Sequence, residues 1–377
     1  MNSLLQLKEH GQSIWLDHLE RDLIRNGELK KLVDQGEICG VTTNPDILLK
    51  TIASTNSARE NTEEELALLH QGHPSATGFE KLFIPEIRAA ADILRPVYEK
   101  THRRDGYVSL QLSPAFADNM EKTVDQTRRL WREVDRENLL IKIPATEAII
   151  PAVTQLTSDG ININVTLLFS RAMYDRAAAA YLDGLEQLIG RGGNPTHVTS
   201  VASFFISRID TAVDAIITSH LNQCGWIKIY NAVERESLRN LLGKVAIANA
   251  KVAYESYQTL FSGPRWELLA ARGAQKQRLL WASTSIKNPA YRDVKYIEEL
   301  IGPDTITTIP HATLAAFRDH GRVRDSLQEN TANAAILLAT LKTLRISLDD
   351  IASKLTLEGI KQFSTAQQEG EKLSESP

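Results

Sequence analysis

The sequence predicts a closed parallel α/β barrel, a (β/α)8 fold of the TIM type with extra helical insertions and a C-terminal helix. Three observations predict it. Strand-like and helix-like segments alternate from one end of the chain to the other, eight times over. The most apolar strand-like runs are rich in Leu and Ile and bounded by polar residues, as parallel strands covered by helices are. The 377-residue length accommodates a barrel of about 250 residues plus insertions in one domain spanning 1–377.

The expected strands lie at 13–17, 40–44, 107–113, 139–145, 161–168, 196–203, 278–283 and 305–309. Ile14-Trp15-Leu16 and the β-branched Thr305-Ile306-Thr307-Thr308-Ile309 have the composition of half-buried strands. The 107–113 and 161–168 segments alternate apolar and polar residues with period two. Helical segments fill the gaps. Ile149, Val153 and Leu156 share one face after Thr146, and Ser170 is the N-cap expected for a helix carrying Tyr174, Ala178, Tyr181, Leu185 and Leu188 in register. Ile209, Val213 and Ile216 mark a helix after Ser203, followed by one long helix over 234–261. Helical insertions are expected at about 52–101 and 223–274. A final helix, about 347–370, starts near Ser347, with Asp350 at a capping-box-like spacing, and runs through Phe363. Gly190-Arg191-Gly192-Gly193-Asn194-Pro195 reads as a turn: it lacks a following Lys-Ser/Thr and precedes a strand, where a phosphate loop opens a helix.

Composition excludes several classes. With 42% apolar and 24% charged residues, a net charge of −4 and no basic stripe, neither nucleic acid nor a membrane surface is an expected partner. An anionic substrate would need a local pair of cations. The two cysteines, Cys39 and Cys224, are too few for a disulfide framework and fit small core residues in a reducing cytosol. The first dozen residues mix acidic and basic side chains without an apolar stretch, and no run approaches the roughly 18 apolar residues of a membrane span. A cytoplasmic location is expected. His70 and His73 lie in a polar stretch with no third ligand nearby, so no metal is expected.

Lys142 interrupts Asn138-Leu139-Leu140-Ile141-Lys142-Ile143-Pro144, otherwise a core strand. An ammonium there loses hydration, its pKa falls, and the neutral amine can attack a carbonyl to form a Schiff base. A lysine snorkelling from a strand end, or paired with a carboxylate, is the plainer alternative. The neighbouring strands favour a site. Period-two counting puts Asn162, Asn164 and Thr166 on one face, and Ser109, Gln111 and Ser113 likewise. Outward positions under helices should be apolar, so these polar sets face the barrel axis, as Lys142 does together with Leu140 and Pro144. Strand ends add Asp17, Thr42, Asn44 and Ser203. A lone Asn44 or Ser203 reads as an ordinary polar strand end; the same groups around a lysine read as a site at the C-terminal ends of barrel strands. A second cluster suits phosphate: Ser207 and Arg208 after one strand, Ser285 and Lys287 after the next, with Arg208 able to bind bidentately and Lys287 as a point charge.

These residues stand in strings that resemble the transaldolase family. They are Ser13-Ile14-Trp15-Leu16-Asp17, Gly40-Val41-Thr42-Thr43-Asn44-Pro45, the run from Asn138 to Thr146, the run from Ile161 to Ser170, and Ser200-Val201-Ala202-Ser203-Phe204-Phe205. Leu279-Leu280-Trp281-Ala282-Ser283-Thr284 and the run from Tyr296 to Thr305 continue the match. The resemblance implies cofactor-free transfer of dihydroxyacetone from sedoheptulose 7-phosphate or fructose 6-phosphate to glyceraldehyde 3-phosphate or erythrose 4-phosphate, in the pentose phosphate pathway. It implies Lys142 as the Schiff-base lysine, Asp17 as the proton carrier and Thr166 as the residue that positions water. Asn44 and Asn164, with Ser203, would hold the dihydroxyacetone hydroxyls, in a substrate site that also takes in Thr42 and Phe205. Arg208, Ser285 and Lys287 would grip phosphate. Sugar phosphates are thus the expected partners, and a homodimer is compatible with this reading.

One position departs from the family. Transaldolases usually carry glutamate where this chain has Gln111; a carboxylate can shuttle protons through a catalytic water, whereas an amide can only orient it. Fructose-6-phosphate aldolases, shorter relatives, resemble this chain at Gln111 but pair it with a tyrosine where Phe205 stands. An aldolase that releases free dihydroxyacetone is therefore one alternative. A transaldolase for an unusual sugar phosphate is another, and a non-catalytic sugar-phosphate-binding protein a third.

Overall fold

Eight parallel strands close into a barrel in sequence order. They are β1 (Gln12–Leu16), β2 (Gly40–Thr42), β3 (Tyr107–Gln111), β4 (Leu139–Pro144), β5 (Ile163–Leu168), β6 (Ser200–Phe205), β7 (Arg278–Ala282) and β8 (Thr305–Ile309). The computed structural model describes residues 2–43, 83–222 and 230–374. The seam closes where β1 pairs with β8, from Gln12 opposite Thr305 to Leu16 opposite Ile309. Every strand is buried along its whole length, as a barrel jacketed by helices requires.

Which residues point inward is settled by hydrogen bonds that skip a strand. The Asn164 amide on β5 donates to Ser109 Oγ on β3 at 2.9 Å, passing over β4, so both side chains lie in the lumen. Arg278 on β7 likewise reaches past β8 to Ser13 on β1, at 2.8 Å. The predicted inward polar sets on β3 and β5 are therefore correct at Ser109 and Asn164. Asn162 sits one step before β5; its side chain bonds Glu137 O, Leu139 O and Thr199 N, joining the entries of the flanking strands.

The N-terminal floor of the barrel is ionic. Asp105 accepts from Ser13 Oγ at 2.8 Å, Trp15 Nε1 at 3.1 Å and Arg278 at 3.0 Å. Burial opposes ionisation of Asp105, but the charge and hydrogen bonds of Arg278 outweigh it and hold the carboxyl below its usual range. Trp15 lies against Gly40 of β2, where a Cβ would stand 2.5 Å from the indole, so only glycine lets the ring in. Cys39, just before it, is a core residue whose thiol burial pushes up to about 12.

Helix starts follow their caps. Ser170 Oγ accepts from Met173 N at 3.3 Å and opens Arg171–Gly190; Ser347 Oγ accepts from Asp350 N at 3.2 Å and opens Leu348–Ser374. Between the helix end at Gly190 and the 3-10 start at Pro195 the chain turns through Arg191 and Gly192, as expected. Two boundaries differ from expectation. The strand expected from 196 starts at Ser200, because Asn194 caps a 3-10 turn over Pro195–His197. The helix expected over 234–261 is broken into Ala232–Leu241 and Val245–Leu260 at Gly243, whose φ is +66°. A third helix, Gly263–Ala270, completes the described part of that insertion. Of the segment expected as an insertion over 52–101, the described part is the helix Ile84–Lys100, which leads into β3. Cys224, His70 and His73 lie outside the described residues.

Removing one partner of the floor pair leaves an uncompensated buried charge. Arg278→Leu should destabilise the fold by about 3–5 kcal/mol in urea unfolding, and adding Asp105→Asn should recover part of that loss. If the double variant is no more stable than the single one, the pair is not coupled as described.

Candidate active site

Lys142 occupies the middle of β4, with Gln111 of β3 and Asn164 of β5 as its register partners on either side. The side chain is only 6% exposed. Burial lowers its pKa from the ordinary lysine value; the Asp17 carboxylate opposes the shift, and the Arg208 guanidinium adds to it. The amine is thus biased towards its neutral, nucleophilic form while a carboxylate and a guanidinium act on it electrostatically.

Asp17 follows β1 directly and extends the ladder, its N–H donating to Ile309 O at 3.0 Å. Its carboxylate accepts from Thr42 Oγ at the end of β2 at 2.7 Å, which fixes one oxygen. Across the lumen, Ser203 Oγ donates to Asn164 Oδ1 at 2.7 Å, and the Asn164 amide nitrogen donates onward to Ser109. A relay from β6 through β5 to β3 therefore sets the orientation of the Asn164 amide. Asp17, Thr42, Lys142, Ser203, Phe205, Arg208, Ser285 and Lys287 line one cavity of about 410 Å³.

The phosphate-suited cluster forms its rim. Arg208 is the second residue of the helix Ser207–Asn222, and its guanidinium lies 5.6 Å from the Phe205 ring centroid, which in turn packs on Phe169. After β7 the chain turns through Ser283 at φ +56°. Ser207 N donates to Ser283 O, and the two hydroxyls pair at 3.0 Å. Thr284 is anchored on Thr308 O at 2.6 Å, and Lys287 Nζ donates to Ser285 Oγ at 3.1 Å from an exposed position. Two cations, Arg208 and Lys287, and the hydroxyl residues Ser283 and Ser285 thus meet at one mouth.

Gln111 and Thr166 are buried near Lys142 but do not line the cavity. The Gln111 amide donates to Leu112 O and to Lys142 O, both at 3.1 Å, while its Oε1 and the Thr166 hydroxyl have no partner among the described residues. Asn44 lies outside the described residues. Sequence reasoning missed Phe363, which reaches the cavity wall from the C-terminal helix and is 5% exposed. It also missed a bulge in β5 that puts Leu167 at φ +60° directly after Thr166, beneath Thr356 of the same helix. Neither carries a local signal: an apolar residue on a helix stripe reads as core. A larger cavity of about 600 Å³ adjoins Leu357 and Met173 and contains no lysine. Another, about 580 Å³, lies at the N-terminal end and has only exposed lysines. Chemistry rather than size selects the site.

The chain is similar to known proteins along nearly its whole length. The family model described as Transaldolase/Fructose-6-phosphate aldolase matches residues 14–374. Transaldolase 2 of Nostoc sp. (strain PCC 7120) is 45% identical over 369 residues, 96% of this chain and 94% of that protein. The transaldolase of Thiobacillus denitrificans is 43% identical over 369 residues, 98% of each chain, and that of Neisseria gonorrhoeae 40% over 366 residues, 97% of each.

The charges around Lys142 have opposite signs, so their removal should move its titration in opposite directions. The rate of reductive trapping against pH should rise with a limb below the 10.5 of ordinary lysine. Asp17→Asn should lower that limb and Arg208→Met raise it. A base whose folded pKa is depressed sheds its proton in the folded state first, so stability rises with pH between the folded value and that of free lysine. Lys142→Met should therefore raise stability at pH 7 by about 1–2 kcal/mol while abolishing trapping.

Proposed function

We propose a Lys142-based transaldolase reaction for this chain, which belongs to the transaldolase/fructose-6-phosphate aldolase family. It is a transferase that moves a dihydroxyacetone unit between sugar phosphates. The proposed donors are sedoheptulose 7-phosphate and fructose 6-phosphate; the acceptors are glyceraldehyde 3-phosphate and erythrose 4-phosphate. One observation carries the mechanism: a buried amine with a depressed pKa, in a cavity that also holds a hydrogen-bonded carboxylate.

Lys142 attacks the C2 ketone, and loss of water from the carbinolamine leaves a protonated imine. Asp17 takes the C4 hydroxyl proton as the C3–C4 bond breaks. The bonding pair flows to the imine nitrogen, the aldose phosphate leaves, and an enamine remains. C3 of the enamine then attacks the acceptor aldehyde, and Asp17 returns its proton to the new hydroxyl. Water positioned by Thr166 hydrolyses the imine and frees Lys142. Asn44, Asn164 and Ser203 hold the three-carbon unit, Thr42 steadies Asp17, and Phe205 walls the cavity. Arg208, Ser285 and Lys287 bind the phosphate. A cytoplasmic location and a homodimer complete the reading, the latter checked by sedimentation.

Borohydride reduction in the presence of fructose 6-phosphate should leave one three-carbon adduct, on Lys142, by peptide mass mapping. An adduct on a different lysine would sink the mechanism.

Gln111 favours a second reading, release of free dihydroxyacetone. With fructose 6-phosphate alone, dihydroxyacetone should accumulate far more slowly than product forms once erythrose 4-phosphate is added; equal rates would favour the aldolase. Gln111→Glu should raise kcat for transfer, by less than about 100-fold. An unchanged kcat would mean that no proton shuttle is missing.

A further inference from the structure

The loop that carries Ser285 and Lys287 is fastened at both ends to the helix that carries Arg208. Its near end is held by the Ser283 contacts with Ser207. Its far end is held by Tyr291, whose hydroxyl donates to Asp214 Oδ2 at 2.7 Å. Asp214 lies on the same helix, Ser207–Asn222, two turns beyond Arg208. Between the two ends, Asn288 folds the loop back on itself, accepting from Ala290 N and Tyr291 N at 3.0 Å each.

Several contacts tie this anchor to the broken insertion. The second oxygen of Asp214 accepts from Gly243 N at 2.9 Å, at the break between Ala232–Leu241 and Val245–Leu260. Gly243 needs to be glycine twice over: its φ is +66°, and a Cβ would stand 2.6 Å from the Tyr291 ring. Lys295 donates to Gly243 O at 2.5 Å and lies 4.0 Å from the Tyr291 ring centroid, packing the phenol from another side. One turn earlier on the Arg208 helix, Asp210 accepts from Tyr296 OH at 2.9 Å and from Ala246 N at 2.7 Å. Two carboxylates on one helix thus hold two tyrosines from beyond the loop and two backbone amides of the insertion. Asp214 is 9% exposed and Asp210 1%, so water competes weakly for these bonds.

We propose that Tyr291 is a positioning residue for phosphate recognition: its hydrogen bond to Asp214, made against Gly243, fixes Ser285 and Lys287 opposite Arg208. Tyr291 does not line the cavity, so it acts through the loop. This rests on the reading that Arg208, Ser285 and Lys287 bind phosphate.

Tyr291→Phe removes one oxygen and keeps the ring against Gly243, so the fold should survive. Kinetics with glyceraldehyde 3-phosphate and with unphosphorylated glyceraldehyde as acceptors separate the possibilities, alongside inhibition by inorganic phosphate. The expected result is a KM for glyceraldehyde 3-phosphate raised about tenfold with kcat within about twofold, the Ki of phosphate raised in parallel, and the KM for glyceraldehyde unchanged. Lys287→Ala is the control for the underlying reading. If it leaves the preference for the phosphorylated acceptor intact, the phosphate reading fails. If it lowers that preference while Tyr291→Phe leaves it intact, or Tyr291→Phe affects both acceptors alike, the positioning role is overturned.

Discussion

The structure depends on keeping an amine dry. Lys142 is carried on a strand whose outward neighbours are Leu139, Ile141 and Ile143, all at zero exposure, and it points into a lumen that contains almost no solvent-accessible surface at that level. An ammonium there forfeits its hydration, and that cost makes the neutral form accessible. A flat sheet could not impose this on a single residue. A closed barrel can, because each inward residue is surrounded by seven other strands, and helices seal the outside. Asp17 limits the effect: its charge favours the ammonium, so the amine is tuned between two opposing influences rather than simply neutralised.

The same lumen is divided by depth. At the N-terminal end Arg278 and Asp105 pair with each other, Ser13 bonds to both, and Trp15 bonds to Asp105. At the C-terminal end the polar groups are incompletely satisfied: Thr166 Oγ and Gln111 Oε1 lack partners, and Lys142 faces a cavity. Buried polar groups without partners cost stability wherever they lie, and Gln12 Oε1, Asn138 Oδ1 and Gln277 Oε1 at the strand entries also lack partners among the described residues. What distinguishes the C-terminal end is the cavity that Lys142 faces. The floor carries a buried ion pair, and the mouth carries the cavity and its lysine.

Much of this was legible in the chain. Period-two polarity in 107–113 and 161–168 identified the lumen-facing residues because helices outside the barrel leave no other dry place for apolar side chains. Lys142 stood out as a cation in the middle of an otherwise apolar strand. Local chemistry fixed helix starts at Ser170 and Ser347. What escaped was non-local or depended on backbone geometry. Arg278 and Asp105 are 173 positions apart, so nothing in either segment announces their pairing. The break at Gly243 is invisible to helical periodicity, because one glycine inside an amphipathic pattern is usually tolerated; its reason is the Tyr291 ring. Phe363 belongs to the last helix, and only the closed fold brings it to Lys142.

Gln111 shows how a single substitution type is decided by its surroundings. Its amide spans two strands, donating to Leu112 O on its own strand's continuation and to Lys142 O on β4. A carboxylate in this rotamer would set one oxygen against two carbonyls, a repulsive arrangement with no proton to mediate it at neutral pH. Glutamate would therefore have to turn away from these two carbonyls. Glutamine does the reverse: it offers no proton for transfer and ties down the backbone of Lys142. In the proposed reaction, imine formation and hydrolysis both need a proton moved near Lys142, and with the amide bonded to the strands that work falls to water and the Thr166 hydroxyl. In the same proposed reaction carbon–carbon cleavage relies on Asp17, which Thr42 holds independently of Gln111. On the proposed reaction, Gln111 therefore bears on the steps that load and unload the lysine and not on the transfer step.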